Sequence, residues 1–262
     1  MTNPDYETLF EFLQYPLETT KPLIERFASL PGAIARGSGE QSFVYRPGER
    51  KDRVLLVAHA DTVWDCDPDH SSSFPPSRFI KRDGVLHSDN GEGRGLGADD
   101  RAGCAILWEF RQFGHSLLVV SGEETGQVGS TFLMKSNPDI ADEINGTHGF
   151  MIELDRRNEL DYKCYEVGSR HFRRYLASSL RGFSEPDRNS CTDICTLCRD
   201  ICGVNLSVGY RYEHTANEIL VLEHWINSIE TLWSWIIPSG LPRFPIPNRL
   251  PPEAITLVGE CS

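Results

Sequence analysis

The sequence lacks any apolar run that approaches the ~18 to 20 residues needed to span a bilayer. Its first residues, MTNPDYETLF, also lack the cationic segment followed by an apolar one that marks an export signal. We therefore expect a cytoplasmic protein that does not enter a membrane.

Basic residues are also scarce. The chain has 26 Lys and Arg against 38 Asp and Glu, a formal net charge of −12, and its basic residues form no block. This disfavours nucleic acid and anionic membranes as partners, whereas acidic residues can hold cations. The composition is otherwise that of a globular protein. We expect a single domain over residues 1–262, with an irregular Pro-rich tail from about 238.

Eight Cys occur without an export signal, so free thiols are favoured over disulfides. Four of them cluster at spacings typical of one helical face, namely Cys191, Cys195, Cys198 and Cys202. We expect a helix from Thr192 to about Cys202, with Asp193 in its first turn. A helix of about 11 residues spans ~16 Å, too far for four sulfurs to meet one ion. The cluster is therefore interpreted as buried packing against a sheet.

Apolar runs typical of buried strands alternate with helical patterns. Helical spacing covers residues 5–29, 101–113, 128–136, 169–180 and 221–237. Strand patterns cover residues 41–46, 54–58, 116–120, 150–154, 161–167 and 204–210, and the strand at 161–167 could pair with the one at 150–154. Residues 65–96 are typical of a β-ribbon or loop. This alternation predicts a three-layer α/β fold with a mixed, mostly parallel central sheet and helices on both faces.

Residues able to bind metal follow the buried strands, where an open α/β sheet places its site. They are His59 and Asp61 after 54–58, Glu123 and Glu124 after 116–120, Asp155 after 150–154 and His214 after 204–210. Asp99 lies just before a helix and faces the same edge. Three other histidines, His70, His87 and His115, lack this placement and are expected to face solvent.

Two imidazoles and several carboxylates form a donor set that suits zinc or a similar divalent ion. A carboxylate can bridge two ions with its two oxygens, and Asp99 is the natural candidate. Asp61 lies two residues beyond His59 on an extended strand, so it can hydrogen-bond the second ring nitrogen. Glu123 and Glu124 are adjacent and point different ways, so one can bind metal while the other holds a water proton.

Five motifs together resemble, in order and spacing, the dinuclear zinc exopeptidase superfamily, and most closely its glutamate carboxypeptidase, tripeptidase and aminoacylase branch. They are HADTV at 59–63, GADDRAG at 97–103, GEETG at 122–126, ELD at 153–155 and HTANE at 214–218. The resemblance covers residues 50–220, approximately. It implies that Asp99 bridges two metals, one also bound by His59 and Asp155 and the other by Glu124 and His214. It further implies that Asp61 orients His59, that Glu123 is the general base, and that the Asp99–Asp100 peptide is cis.

The chain departs from that branch in one respect. The branch inserts a dimerisation or lid domain between the segments that correspond to Asp155 and His214, which here are 59 residues apart. That span must already hold a strand and two helices, so we expect the catalytic domain alone, as in single-domain aminopeptidases of the superfamily.

The resemblance implies a metal-dependent hydrolase that cleaves a terminal amide bond of a peptide, with water activated at two zinc ions, or at cobalt or manganese. An N-acyl-amino-acid deacylase or a carboxypeptidase with the same site stays open, as does a metal-bound binding module without catalysis. The expected partner is a small peptide or acyl-amino acid, and the expected state is a monomer. Acidic residues such as Asp100 would attract an α-ammonium group, which favours aminopeptidase action, although Arg170 or Arg211 could clamp a carboxylate.

Overall fold

Eleven strands occur in the part of the chain that the computed structural model describes, which is residues 6–67, 72–91, 93–186 and 190–246. They are β1 (Ile34–Ser38), β2 (Gln41–Arg46), β3 (Leu55–His59), β4 (Phe79–Arg82), β5 (Val85–Ser88), β6 (Ser116–Val120), β7 (Met151–Arg156), β8 (Tyr162–Lys163), β9 (Gly203–Ser207), β10 (Tyr210–Arg211) and β11 (Ile219–Val221). The apolar runs at 54–58 and 116–120 form β3 and β6, whose residues are all buried.

A seven-stranded central sheet has the order β1-β2-β6-β3-β7-β9-β8. Its four middle strands β6, β3, β7 and β9 are parallel, and the strands outside them pair antiparallel. The carboxyl ends of the parallel strands therefore share one edge, which is where ligands bind in such sheets. A smaller antiparallel sheet has the order β10-β11-β5-β4, and its β4–β5 hairpin confirms the ribbon expected within 65–96.

Helices cover both faces of the central sheet. They are α1 (Tyr6–Leu13), α2 (Lys21–Ala28), α3 (Ala98–Phe110), α4 (Val128–Ser136), α5 (Pro138–Thr147), α6 (Arg170–Ser179), α7 (Asp193–Leu197) and α8 (Leu222–Ile236). Alternate residues of β3 enter two separate apolar layers: Leu56 lies in the layer with α1, α3 and α8, and Leu55 in the layer with α4, α5 and α7. The predicted three-layer α/β fold is thus confirmed.

None of the described helices combines the length and apolarity needed to cross a membrane.

The structure corrects the helix expected over the cysteine cluster. Helix α7 ends at Leu197, because Cys198 adopts an extended conformation with ψ of 93°. Cys198 and Cys202 are buried, whereas Cys191 is exposed. The four thiols therefore do not share one helical face, although none of the four forms a disulfide.

Two predicted strands are shorter than their sequence patterns. The strand expected over 161–167 is only β8, which pairs with β9 and not with β7. Tyr165 has a left-handed φ of 48° and starts a 3-10 turn, so the extended chain stops before it. The strand expected over 204–210 divides at Gly209, whose φ of 102° turns the chain from β9 to β10 in the second sheet.

Other local expectations were incomplete or wrong. Helix α5 and strands β1 and β11 are not among the elements expected from the sequence. His115 is fully buried and not solvent-facing: its Nδ1 accepts the N–H of Val54, and its Nε2 lies 2.9 Å from the carbonyl oxygen of Ile236. His70 lies outside the described residues. Residues 238–246 form no helix or strand, and residues 247–262 of the expected tail lie outside the described part.

Candidate active site

The metal-competent residues predicted from the sequence meet at the carboxyl edge of the parallel strands. His59 ends β3, Asp155 is near the end of β7, and Glu123 and Glu124 follow β6. Asp99 lies at the start of α3, where its own dihedral angles and those of Asp100 are not yet helical and the peptide between them is cis. His214 lies in the loop between β10 and β11.

A first group of three donors consists of His59, Asp99 and Asp155. Nε2 of His59 lies 3.1 Å from Oδ1 of Asp99 and 3.4 Å from Oδ1 of Asp155. The His59 side chain is only 1% exposed, so this group lies at the closed end of the site.

A second group consists of Asp99, Glu124 and His214. Nε2 of His214 lies 3.1 Å from Oδ2 of Asp99 and 3.0 Å from Oε1 of Glu124. Asp99 therefore presents one oxygen to each group, which is the arrangement of a bridging carboxylate. Because the His214 side chain is 49% exposed, this group has the more open edge.

The donor set fits a pair of divalent ions. Zinc binds imidazole nitrogen and carboxylate oxygen at about 2.0–2.2 Å, so neighbouring ligand atoms around a tetrahedral ion stand about 3.3–3.6 Å apart. The contacts of 3.0–3.4 Å come close to that spacing. In addition, Oε1 of Glu124 is buried and faces Nε2 of His214 at 3.0 Å, so a single cation between them would satisfy both atoms.

Asp61 contacts both His59 of the first donor group and the backbone of the turn that carries Glu123 and Glu124. Its Oδ1 lies 3.4 Å from Nδ1 of His59, on the side of the ring that faces away from Asp99. Its two carboxylate oxygens also accept the backbone N–H groups of Glu123 at 3.2 Å and Glu124 at 3.0 Å. The expectation from the sequence covered the contact with His59 only. The contacts with the GEETG turn depend on the parallel pairing of β3 and β6, which brings the two strand ends together.

Asp155 is held by side chains that the sequence analysis did not assign to the site. The hydroxyl of Tyr210 donates to its Oδ1 at 3.0 Å, and the hydroxyl of Thr192 lies 2.9 Å from its Oδ2. The side chain of Asn205 bonds the backbone of Asp155 at both its N–H and its carbonyl oxygen. These residues come from β9, β10 and the segment before α7, and no local sequence signal connects them to Asp155.

Asp100 does not lie at the rim of the pocket, contrary to the expectation from the sequence. It is fully buried and accepts the backbone N–H groups of His59 and Gly103 at 3.2 and 3.1 Å. Both of its oxygens are thus engaged with backbone, so Asp100 supports the end of β3 and cannot meet a substrate ammonium group.

The site contains several buried carboxyl groups close to one another. Burial, together with the neighbouring Asp155, raises the pKa of Glu123 to about 9 in the protein without metal. Burial also raises the pKa of Asp193 to about 7. The carboxylates of Asp99 and Glu124 raise the pKa of His214 to about 11. A divalent cation at this place would act in the opposite sense, lowering each of these values, so the site is electrostatically suited to positive charge.

No protein-family model matches the chain, and no curated protein matches its sequence. Solved structures are similar in fold. The aminopeptidase PepT from Bacillus cereus ATCC 10987 superposes with a TM-score of 0.63 at 15% identity, over 89% of this chain and 98% of that one. A tripeptidase from Staphylococcus aureus subsp. aureus Mu50 gives a TM-score of 0.60 at 15% identity, over 88% of this chain and 96% of that one.

A third similar structure is the TET1 peptidase of Pyrococcus horikoshii, which can assemble into a tetrahedron or a large octahedral shell. It gives a TM-score of 0.56 at 15% identity, over 87% of this chain and 98% of that one. These comparisons show that the chain has the fold found in these peptidases.

Proposed function

We propose that the protein is a metal-dependent hydrolase that cleaves the amino-terminal amide bond of small peptides. The observation that carries this proposal is the pair of three-donor groups that share Asp99, each with one imidazole and two carboxylates. The names of the similar structures, an aminopeptidase and a tripeptidase, support a peptide substrate.

His59, Asp99 and Asp155 would hold one metal ion, and Asp99, Glu124 and His214 the other. Zinc, cobalt or manganese ions bound there would lower the pKa of water and polarise the carbonyl of the substrate. Glu123 belongs to neither donor group, and its backbone is fixed by Asp61 beside both. In the proposed mechanism Glu123 accepts the proton of the attacking water and delivers it to the nitrogen of the leaving amine.

The charge of the site favours a substrate with a free amino terminus. Of the carboxylates outside the donor groups, Glu123 is only partly buried, whereas Asp61, Glu153 and Asp193 are buried and act through their charge and not by contact. Of the two arginines that follow Asp155, Arg156 is buried at 7% exposure, and Arg157 is paired at 2.6 Å with Glu213. Arg211 lies beside His224 of α8. An α-ammonium group is therefore favoured over a carboxylate.

Zinc-loaded protein should be tested on a free dipeptide, its N-acetylated form and its C-amidated form under identical conditions. Aminopeptidase action predicts that acetylation abolishes turnover, because the ammonium group is lost, and that amidation is tolerated. Faster cleavage of the acetylated dipeptide would instead support the deacylase or carboxypeptidase alternative. Metal binding without cleavage of any of the three would support the non-catalytic binding module.

A further inference from the structure

The last residue of the HTANE motif, Glu218, makes contacts that its position in the sequence does not indicate. It follows His214 in the loop between β10 and β11 and is only 1% exposed. Its Oε2 accepts the backbone N–H of Gly97 at 2.7 Å, and its Oε1 accepts the backbone N–H of Asp99 at 3.0 Å. One carboxylate thus holds both ends of the turn that carries Asp99.

This contact occupies the amino end of α3, whose first N–H groups have no partner within the helix. Gly97 has a left-handed φ of 71° and provides no side-chain cap. The carboxylate of Glu218 therefore replaces the local cap from more than a hundred residues away in the chain. The side chain of Glu218 also lies so close to the backbone of Gly95 that a Cβ on Gly95 would lie 2.7 Å from its Oε2.

The geometry points to Glu218 as a positioning residue for the metal centre, one that fixes the bridging Asp99 relative to His214. The loop of Glu218 carries His214 at its start, and the turn it holds carries Asp99, so a single side chain links two of the three donors of the second group. This inference rests on the proposed function, because it requires that the donor groups bind metal.

The test compares Glu218→Gln and Glu218→Ala with the unaltered protein. Glutamine keeps the size of the side chain and one acceptor oxygen, but its NH2 group would face a backbone N–H that then has no acceptor. Supporting residues of this kind typically contribute 10- to 100-fold in metal affinity. We expect Glu218→Gln to weaken Zn²⁺ binding at the second donor group by roughly that factor, and Glu218→Ala to weaken it at least as much.

Asp52 provides a matched control. Its carboxylate also accepts two backbone N–H groups, those of Gly240 at 2.6 Å and Leu241 at 3.2 Å, but it precedes β3 and so lies at the opposite edge of the sheet. Asp52→Asn should lower the unfolding temperature without changing Zn²⁺ affinity. Affinities would be measured by competition with a chromophoric chelator well below the unfolding temperature, with circular dichroism as the check on folding.

A second readout is the visible absorption of Co²⁺-loaded protein, which reports the geometry of the ligands. We expect the spectrum of Glu218→Gln to differ from that of the unaltered protein, and that of Asp52→Asn to match it. Unchanged Zn²⁺ affinity and an unchanged Co²⁺ spectrum in a folded Glu218→Gln variant would overturn the positioning role. Failure of the unaltered protein to bind two equivalents would instead overturn the proposed function.

Discussion

Replacement of Glu123 by Gln separates proton transfer from metal binding. Gln has nearly the same shape as Glu, and the backbone N–H of residue 123 would still donate to Asp61. Glu123 contributes no atom to either donor group, so both groups stay complete in the variant. We therefore expect Glu123→Gln to retain two metal equivalents and to lose a proton acceptor.

The size of the effect follows from the role of one positioned base. General acid–base catalysis contributes typically ~10²- to 10⁴-fold, which corresponds to about 2.7–5.4 kcal/mol in the activation free energy. Because the proposed base must be ionised, activity of the unaltered protein should fall as pH drops below the pKa of Glu123 in the metal-loaded site. In the protein without metal, burial and the neighbouring Asp155 raise the pKa of Glu123 to about 9, and bound cations would lower it from there. The acid limb should be absent from the residual activity of Glu123→Gln.

The assay measures kcat at saturating Zn²⁺ and metal content by mass spectrometry on the same samples. Glu124→Gln is the matched control: Oε1 of Glu124 is a donor of the second group, so this variant should lose metal affinity. Loss of metal from Glu123→Gln with retention in Glu124→Gln would show that the two roles are reversed. Full activity in Glu123→Gln would refute the reasoning about the base.

Three further predictions concern the scaffold. Burial lowers the pKa of His115 to about 4, so the stability that its neutral form provides is complete above about pH 6.5. This stability is lost as pH falls towards 4, by up to ~1.4 kcal/mol per pH unit. Urea unfolding between pH 7 and pH 4.5 should therefore show a smaller loss of stability in His115→Gln than in the unaltered protein. A Cβ on Gly103 would overlap the carbonyl oxygen of Leu154 and the carboxylate of Asp100, so Gly103→Ala should lower the free energy of unfolding by ~1–3 kcal/mol, and an unchanged melting temperature would contradict this packing. The double variant Cys195→Ala, Cys198→Ala should be less stable yet keep its metal, and loss of one metal equivalent would indicate a thiolate site.

Local sequence patterns predicted the strands correctly where the pattern of apolar residues matches their burial in the structure. The runs LLVA and SLLVV have the pattern of strands covered on both faces, and the structure forms strands there whose following polar residues meet at one sheet edge. The seven candidate residues lie together for this reason. The branch of the superfamily, the single catalytic domain, the monomeric state and the cytoplasmic location stay predictions.

Local patterns failed where contacts distant in sequence decide the structure. Tyr162–Val167 alternates like a strand, but Tyr165 takes a left-handed conformation, and its hydroxyl lies 3.4 Å from the Asn205 side chain. The cysteine spacing fits one helical face, yet the chain leaves the helix at Cys198. Thr192 and Tyr210 were not recognised because they reach Asp155 through tertiary packing and not through spacing.

The metal stoichiometry of reconstituted protein tests the central claim most directly. The two donor groups predict two equivalents of Zn²⁺ per chain in the unaltered protein. Asp155→Ala and His214→Ala each remove a donor from one group only, so each should retain one tight equivalent, whereas Asp99→Ala removes the shared donor and should weaken both. A stoichiometry of one that does not rise on reconstitution, or two equivalents that persist in Asp99→Ala, would contradict the account.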